Sequence, residues 1–271
     1  MVYVDEKLTW APDEVNLVVP SSARIYDYLL GGAHNFKVDR GAADRLLAAV
    51  PARDMARLNR GFLRRAVLFL IDAGIRQFLD LGSGIPTVGN VHEIAQEADP
   101  ACRVLYVDIE PIAVAHSQLL LAGNENASVI RADLRKPETI LTFPETHRLL
   151  DLAQPLGLLM VGVMQFVPDS DDPWSIVAGY REKLAPGSYL AMSHFTPDGM
   201  PERMAQAVEV FKTTQEPAHP RTHAQVMRLF DGFELVKPGL VYTSQWRPES
   251  PEDPGDHPHY SNLYAAVGRK P

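Results

Sequence analysis

The sequence holds a single cysteine, Cys102, among 271 residues. One thiol cannot build a disulfide framework or a multi-cysteine metal site, so a reducing compartment is expected. Long apolar runs are missing too. The longest uncharged stretch passes through Gln154, Pro155 and Gln165, short of the roughly 20 mostly apolar residues of a membrane span. Met1-Val2-Tyr3-Val4-Asp5-Glu6 has neither a basic start nor an apolar core, which argues against secretion. Basic excess is absent: 26 Lys and Arg against 34 Asp and Glu leave a formal charge of −8. That balance disfavours broad electrostatic binding to nucleic acid. A cytoplasmic protein with neither membrane nor nucleic acid as partner is expected. The 46% of hydrophobic residues excludes a disordered chain and suffices for a sizeable core.

The periodicity of that apolar content changes along the chain. From Arg53, Met55, Leu58, Phe62, Ala66 and Phe69 recur at helical steps, and Gly74 reads as a stop. Short strand-like runs follow at Gln77–Leu81, Val104–Val107, Ser128–Ile130, Leu158–Val163 and Tyr189–Met192. Helical stretches at Val91–Ala98, Pro111–Leu121, Thr146–Leu152 and Pro173–Leu184 separate them. Short apolar strands alternating with helices imply a parallel sheet covered on both faces. The markers Asp80, Asp108, Asp133, Gln165 and His194 stand 28, 25, 32 and 29 residues apart, and one strand with its crossover helix takes about 30. Beyond His194, Met200, Met204, Ala207, Val208 and Phe211 suit another helix, and Thr222 could cap a further one. Phe233–Val236 and Asn262–Val267 then read as two strands, joined by a loop holding Pro238, Pro248, Pro251, Pro254 and Pro258.

In an open parallel sheet the ligand sits beyond the carboxyl ends of the strands, where strand order reverses. Phe78-Leu79-Asp80-Leu81-Gly82-Ser83-Gly84 runs a strand into two glycines, which permit a sharp turn and close approach to a ligand. The Thr87 hydroxyl could cap the next helix. A third glycine is lacking where Thr87 stands, so the dinucleotide fingerprint is incomplete, and no Gly-Lys-Ser/Thr follows, so a P-loop is excluded. Asp108 ends the second strand and is either an acceptor for ribose hydroxyls or an ordinary helix-start acid before Pro111. Asp133 with Leu134, after the third strand, suits an adenine amine and ring nitrogen, or again a helix start. Gly162-Val163-Met164-Gln165 lacks the Asn/Asp-Pro-Pro-Tyr/Phe pattern of enzymes that methylate amino groups of bases or amides.

Asp80-Leu81-Gly82-Ser83-Gly84, Asp108 and Asp133 at these spacings resemble class I S-adenosylmethionine-dependent methyltransferases. More narrowly, the chain resembles a bacterial S-adenosyl methyltransferase family of unassigned substrate. The passages that carry this are Ser22 to Phe36, Gly84 to Glu93 and Phe230 to Val236. Pro86 and Thr87 depart from the fuller glycine motif of many methyltransferases but match the narrower family. The resemblance implies an α/β, doubly wound, mostly parallel seven-stranded sheet of Rossmann-like type, with an antiparallel C-terminal strand and an N-terminal helical cover. It divides the chain into a segment and cover over residues 1–52 and a cofactor-binding domain over 53–271. It implies S-adenosyl-L-methionine as cofactor, held by Asp80, Gly82, Ser83, Gly84, Thr87, Asp108, Ile109, Asp133, Leu134 and Gln165. It implies no substrate; the leading reading is a methyltransferase acting on a small-molecule methyl acceptor.

Gly82 to Gly84 would then supply backbone N–H groups near the amino-acid tail of the cofactor. A general base is needed only if the acceptor must lose a proton. His194, at the end of the fifth strand, is the first candidate, with Tyr26, Asp27 and His34 behind it. One of Arg60, Arg64 and Arg65 could pair with the methionine carboxylate. No spacing among the histidines suggests a metal. Pro20 to Arg40, rich in aromatics, reads as a lid with a bend or hinge at Gly31-Gly32, and Tyr26, His34 and Asn35 would line the acceptor side. Two other readings are a nucleoside-binding regulatory protein without turnover and an NAD-dependent dehydrogenase, the latter disfavoured by Thr87.

Overall fold

A computed structural model of the chain describes residues 15–87, 89–250 and 255–271. Residues 1–14 of the expected N-terminal segment, Val88 in the passage Gly84 to Glu93, and Pro251 and Pro254 of the late loop lie outside the described residues. Eight strands form one sheet: β1 (Gln77–Leu81), β2 (Arg103–Asp108), β3 (Ala127–Arg131), β4 (Gly157–Val161), β5 (Tyr189–Phe195), β6 (Glu234–Leu235), β7 (Val241–Tyr242) and β8 (Leu263–Arg269). Seven of them run in the order β3-β2-β1-β4-β5-β8-β6, the two-residue β7 pairing with β8 beside that path. The first five pair in parallel, and β8 lies antiparallel to β5 and β6. The order reverses between β1 and β4, which makes their ends the expected ligand crevice.

Side chains alternate across the sheet, as the two-residue period requires. Leu79 and Leu81 of β1 enter a core beneath α6 (Pro137–Leu141), α7 (Pro144–Leu149) and α8 (Pro173–Lys183), while Phe78 enters another beneath α3 (Ala52–Asp72) and α4 (Val91–Ala98). Both faces are thus buried, which explains strands that read as unbroken apolar runs. The 22 prolines fit this architecture because several open helices. Pro137, Pro144 and Pro173 each occupy the first turn, as do Pro111 in α5 (Pro111–Leu120) and Pro201 in α9 (Pro201–Phe211). There the missing N–H is of no consequence. Pro144 also explains why the helix expected over Thr146–Leu152 begins earlier, directly after α6.

The N-terminal segment is helical, as expected, and consists of two helices, α1 (Ser22–Leu29) and α2 (Lys37–Ala49). Ile25, Leu29, Leu46 and Val50 share a third apolar cluster with Met55 of α3 and with Met204, Ala207 and Phe211 of α9. Among the described residues, no helix is long and apolar enough to cross a membrane.

Candidate functional site

A cavity of about 650 Å3 lies over the carboxyl ends of the strands, within the roughly 300–1,000 Å3 usual for small-molecule sites. Asp80, Gly82, Ser83, Gly84, Asp108, Ile109, Asp133, Leu134, Gln165 and Tyr26 line it, whereas Thr87, His34, Asn35 and His194 do not. The register explains the gathering. Leu81 pairs with Val107, and Asp108 with Arg131, so the three strands end nearly level, and Asp80, Asp108 and Asp133 come to neighbouring strand ends, each two residues further along than the last.

The turn after β1 is built differently from expectation. The N–H groups of Gly82 and Ser83 both donate to the Val107 carbonyl, at 2.8 and 3.3 Å, and that of Gly84 donates to Asp108 Oδ2 at 2.6 Å. None of these donors is left for a ligand. What the turn offers is proximity. Gly82 and Gly84 both have φ of +69°, and a Cβ on Gly84 would meet nothing within 4 Å, so a ligand can rest against bare backbone. The Ser83 hydroxyl is buried without a partner among the described residues, as is Gln165 Oε1. Thr87 does not cap α4; its N–H donates to Asn90 Oδ1, and Asn90 holds the cap position with its own N–H on Glu93 Oε2.

Asp108 keeps one oxygen on Gly84 and the other on the Glu110 N–H at 2.9 Å. A carboxylate offers about four lone pairs, so capacity remains for a ligand. Burial pushes its pKa up, and the N–H groups of Glu110, Gly84 and Ile109 pull it back. Asp133 is also raised by burial, but Arg135, 2.7 Å away, outweighs this and holds it below the usual carboxylate range. The Tyr180 hydroxyl donates to the Leu134 carbonyl at 2.8 Å and steadies that segment. Asp80 is the most perturbed of the three. Burial pushes it up to about 7 against the opposing charge of Arg60, with a smaller push from Asp108. Of the three arginines weighed from sequence, Arg60 lines the cavity. Arg64 pairs with Glu249, and Arg65 donates to the Thr243 and Trp246 carbonyls.

A stability prediction follows from Asp80. Its folded pKa lies above the ordinary value of about 3.9, so the neutral form stabilises the fold fully below pH 4. That contribution is lost as pH rises through about 7. The ligand-free protein should therefore melt lower at pH 8 than at pH 6, and Asp80→Asn should flatten that difference. Parallel melting curves for both proteins across this window would contradict it.

The cover is held by a buried ion-pair network. Arg24 is fully buried, donating to Asp39 at 2.9 Å and to Glu110 at 3.0 Å. It ties α1 to α2 and to the residue that donates its N–H to Asp108. Gly31-Gly32 form a fixed turn: the Gly32 N–H donates to the Asp27 carbonyl, and a Cβ on Gly32 would stand 2.0 Å from Asp27 Oδ1. Asn35 and the His34 N–H both donate to Asp27 Oδ2, at 2.8 and 2.9 Å. The expectation that His34 and Asn35 face an acceptor is corrected accordingly. They serve the turn, and the His34 ring packs on His116.

His194 is corrected as well. On β5, Ala191 faces α3 and Leu190 and Met192 face the opposite core, so His194 turns away while its neighbour Phe195 lines the cavity. One residue of register makes the difference. His194 is fully buried, with Nε2 accepting from Arg221 at 2.8 Å and Nδ1 against the Phe195 carbonyl at 2.8 Å. Burial, and then the charge of Arg221, push it down to about 3. It is a neutral support for Arg221, which also donates to the carbonyls of Met164 and Val167 and to Asp169. That arginine fixes the loop after β4, and no local sequence signal marked it.

The family model described as S-adenosyl methyltransferase matches residues 8–271. A solved candidate methyltransferase from Thermobifida fusca YX is 41% identical, covering 97% of this chain and 99% of its own, with a TM-score of 0.91. A DUF574 family protein from Streptomyces avermitilis MA-4680 is 40% identical, covering 94% and 99%, with a TM-score of 0.90. No curated protein matches the chain.

Proposed function

The chain belongs to the S-adenosyl methyltransferase family, and on that premise we propose that it methylates a small molecule held within the cavity, in the bacterial cytoplasm. The observation that carries this reading is that Asp80, Asp108 and Asp133, at or just past the ends of adjacent strands, line one cavity beside the bare backbone of Gly84. The spacing of these acids suits a nucleoside with a charged tail. Asp108, a buried carboxylate with acceptor capacity left, fits the ribose hydroxyls. Asp133 and Leu134, steadied by Arg135 and Tyr180, fit adenine. Asp80 suits the tail's ammonium group and Arg60 its carboxylate. The two unpartnered atoms, Ser83 Oγ and Gln165 Oε1, fit the same polar ligand.

S-adenosylmethionine supplies a methyl group already activated on a sulfonium, so the protein's own task is alignment and exclusion of water. The cover of α1 and α2 performs the second task. Isothermal calorimetry should detect S-adenosylhomocysteine binding at one site per chain, and no binding of NADH. Tight NADH binding with no S-adenosylhomocysteine signal would overturn the reading.

A further inference from the structure

The cavity has two halves of different chemistry. Its polar lining comes mainly from the ends of β1, β2 and β3, with Arg60 of α3 and with Gln215, Glu216 and His219 after α9, and its apolar lining comes from α1, α2, α3, α9 and the adjoining ends of β5 and β8. The apolar half is a hollow within the third hydrophobic cluster. Leu29, Leu46, Met204 and Phe211 line it, with Phe166 and Phe195, which lie inside the molecule yet are only half-buried. Unfilled apolar space forfeits about 24 cal/mol per Å3, so a hollow among such residues is a site for an apolar occupant rather than for water. At its border stands His219, whose N–H donates to the Gln165 carbonyl after β4 at 2.7 Å. His219 lines the cavity, and its imidazole makes no hydrogen bond among the described residues.

We propose that this hollow is the acceptor site, that the acceptor is an apolar, ring-bearing molecule with one hydroxyl or amine head, and that the head is received by His219. The placement rests on the cofactor reading above. A nucleoside stretched over β1 to β3 leaves the β4 side for the reacting atoms, and His219 borders that side. As the head's lone pair takes the methyl group, the electrons of the broken carbon–sulfur bond remain on sulfur as a neutral thioether. The head's proton passes to a ring nitrogen of His219 and then to water.

Fluorescence titration with 2-naphthol, with S-adenosylhomocysteine saturating, tests this. The native protein should bind one 2-naphthol per chain. Ala207→Trp, which fills the hollow from α9, should weaken 2-naphthol at least tenfold and change S-adenosylhomocysteine affinity by less than threefold. Should that variant fail to fold, Met204→Ala reports instead, by admitting 1-hydroxypyrene that the native protein excludes. His219→Ala should weaken 2-naphthol but not naphthalene. One-for-one competition between 2-naphthol and S-adenosylhomocysteine, or indifference of 2-naphthol binding to these variants, overturns the proposal. Bound 2-naphthol without any S-adenosylhomocysteine binding would uphold the hollow and reject the cofactor reading.

Discussion

Arg24→Ala should destabilise the folded chain by about 3–5 kcal/mol, the range for removing one partner of a buried ion pair. Arg24 is fully buried, and its loss leaves Asp39 and Glu110, both buried, without their counter-charge. The same guanidinium also donates to the carbonyls of Asn16 and Val19, so the chain entering α1 would lose its anchor. Chemical denaturation reads the effect directly. Adding Glu110→Gln to Arg24→Met should recover part of it, because a neutral amide tolerates burial better than an orphaned carboxylate. If Arg24→Ala unfolds within 1 kcal/mol of the native protein, the network does not hold the cover down.

Gly82→Ala and Gly84→Ala should separate folding from binding at two positions with the same φ. A Cβ on Gly82 would stand 2.2 Å from Val163 Cγ2, at a backbone angle of +69°. Overpacking costs about 1–3 kcal/mol and a left-handed L-residue about 1–2 more, so about 2–5 kcal/mol of stability should go. Val163→Gly in the same chain should restore the steric part and leave the strain. A methyl on Gly84 meets open space, so only the strain should register in the melting temperature. That methyl projects where the cofactor would rest, and affinity for S-adenosylhomocysteine should fall at least a hundredfold. Equal melting temperatures for the two variants would refute the packing argument, and unchanged affinity in Gly84→Ala would place the cofactor elsewhere.

Most of the sheet was legible because each strand is written in a short local code. β1 was read to its residue, and α4 also, since apolar alternation and glycines lie within a few positions of one another, although the cap of α4 falls on Asn90 and not on Thr87. The row of acids was legible for the same reason: strand ends recur at regular intervals. Side-chain direction at a strand end was not. Choosing His194 over its neighbours needed the register of β5, which is set by pairing with β4 and β8 far along the chain. The Arg24 network was hidden because its partners lie 15 and 86 residues away. Its faint trace was a pair of charges, Arg24 and Asp27, on the inward face of α1 beside Ile25 and Leu29. His219 could not be singled out, because it becomes part of the cavity only when the segment after α9 folds back against Gln165.

The two-sided lining of the cavity has a consequence for how such proteins diversify. The strand-end acids are fixed by sheet register, and shifting one disturbs its neighbours. Leu29, Leu46, Met204 and Phe211 project from helices that pack on each other, and exchanging them alters volume and shape without moving a strand. Volume-conserving or modestly cavity-changing swaps among such residues are tolerated at small cost. Two descendants of one ancestor can therefore keep the same row of strand-end acids and differ in the shape of the hollow, with much of that divergence carried by helices.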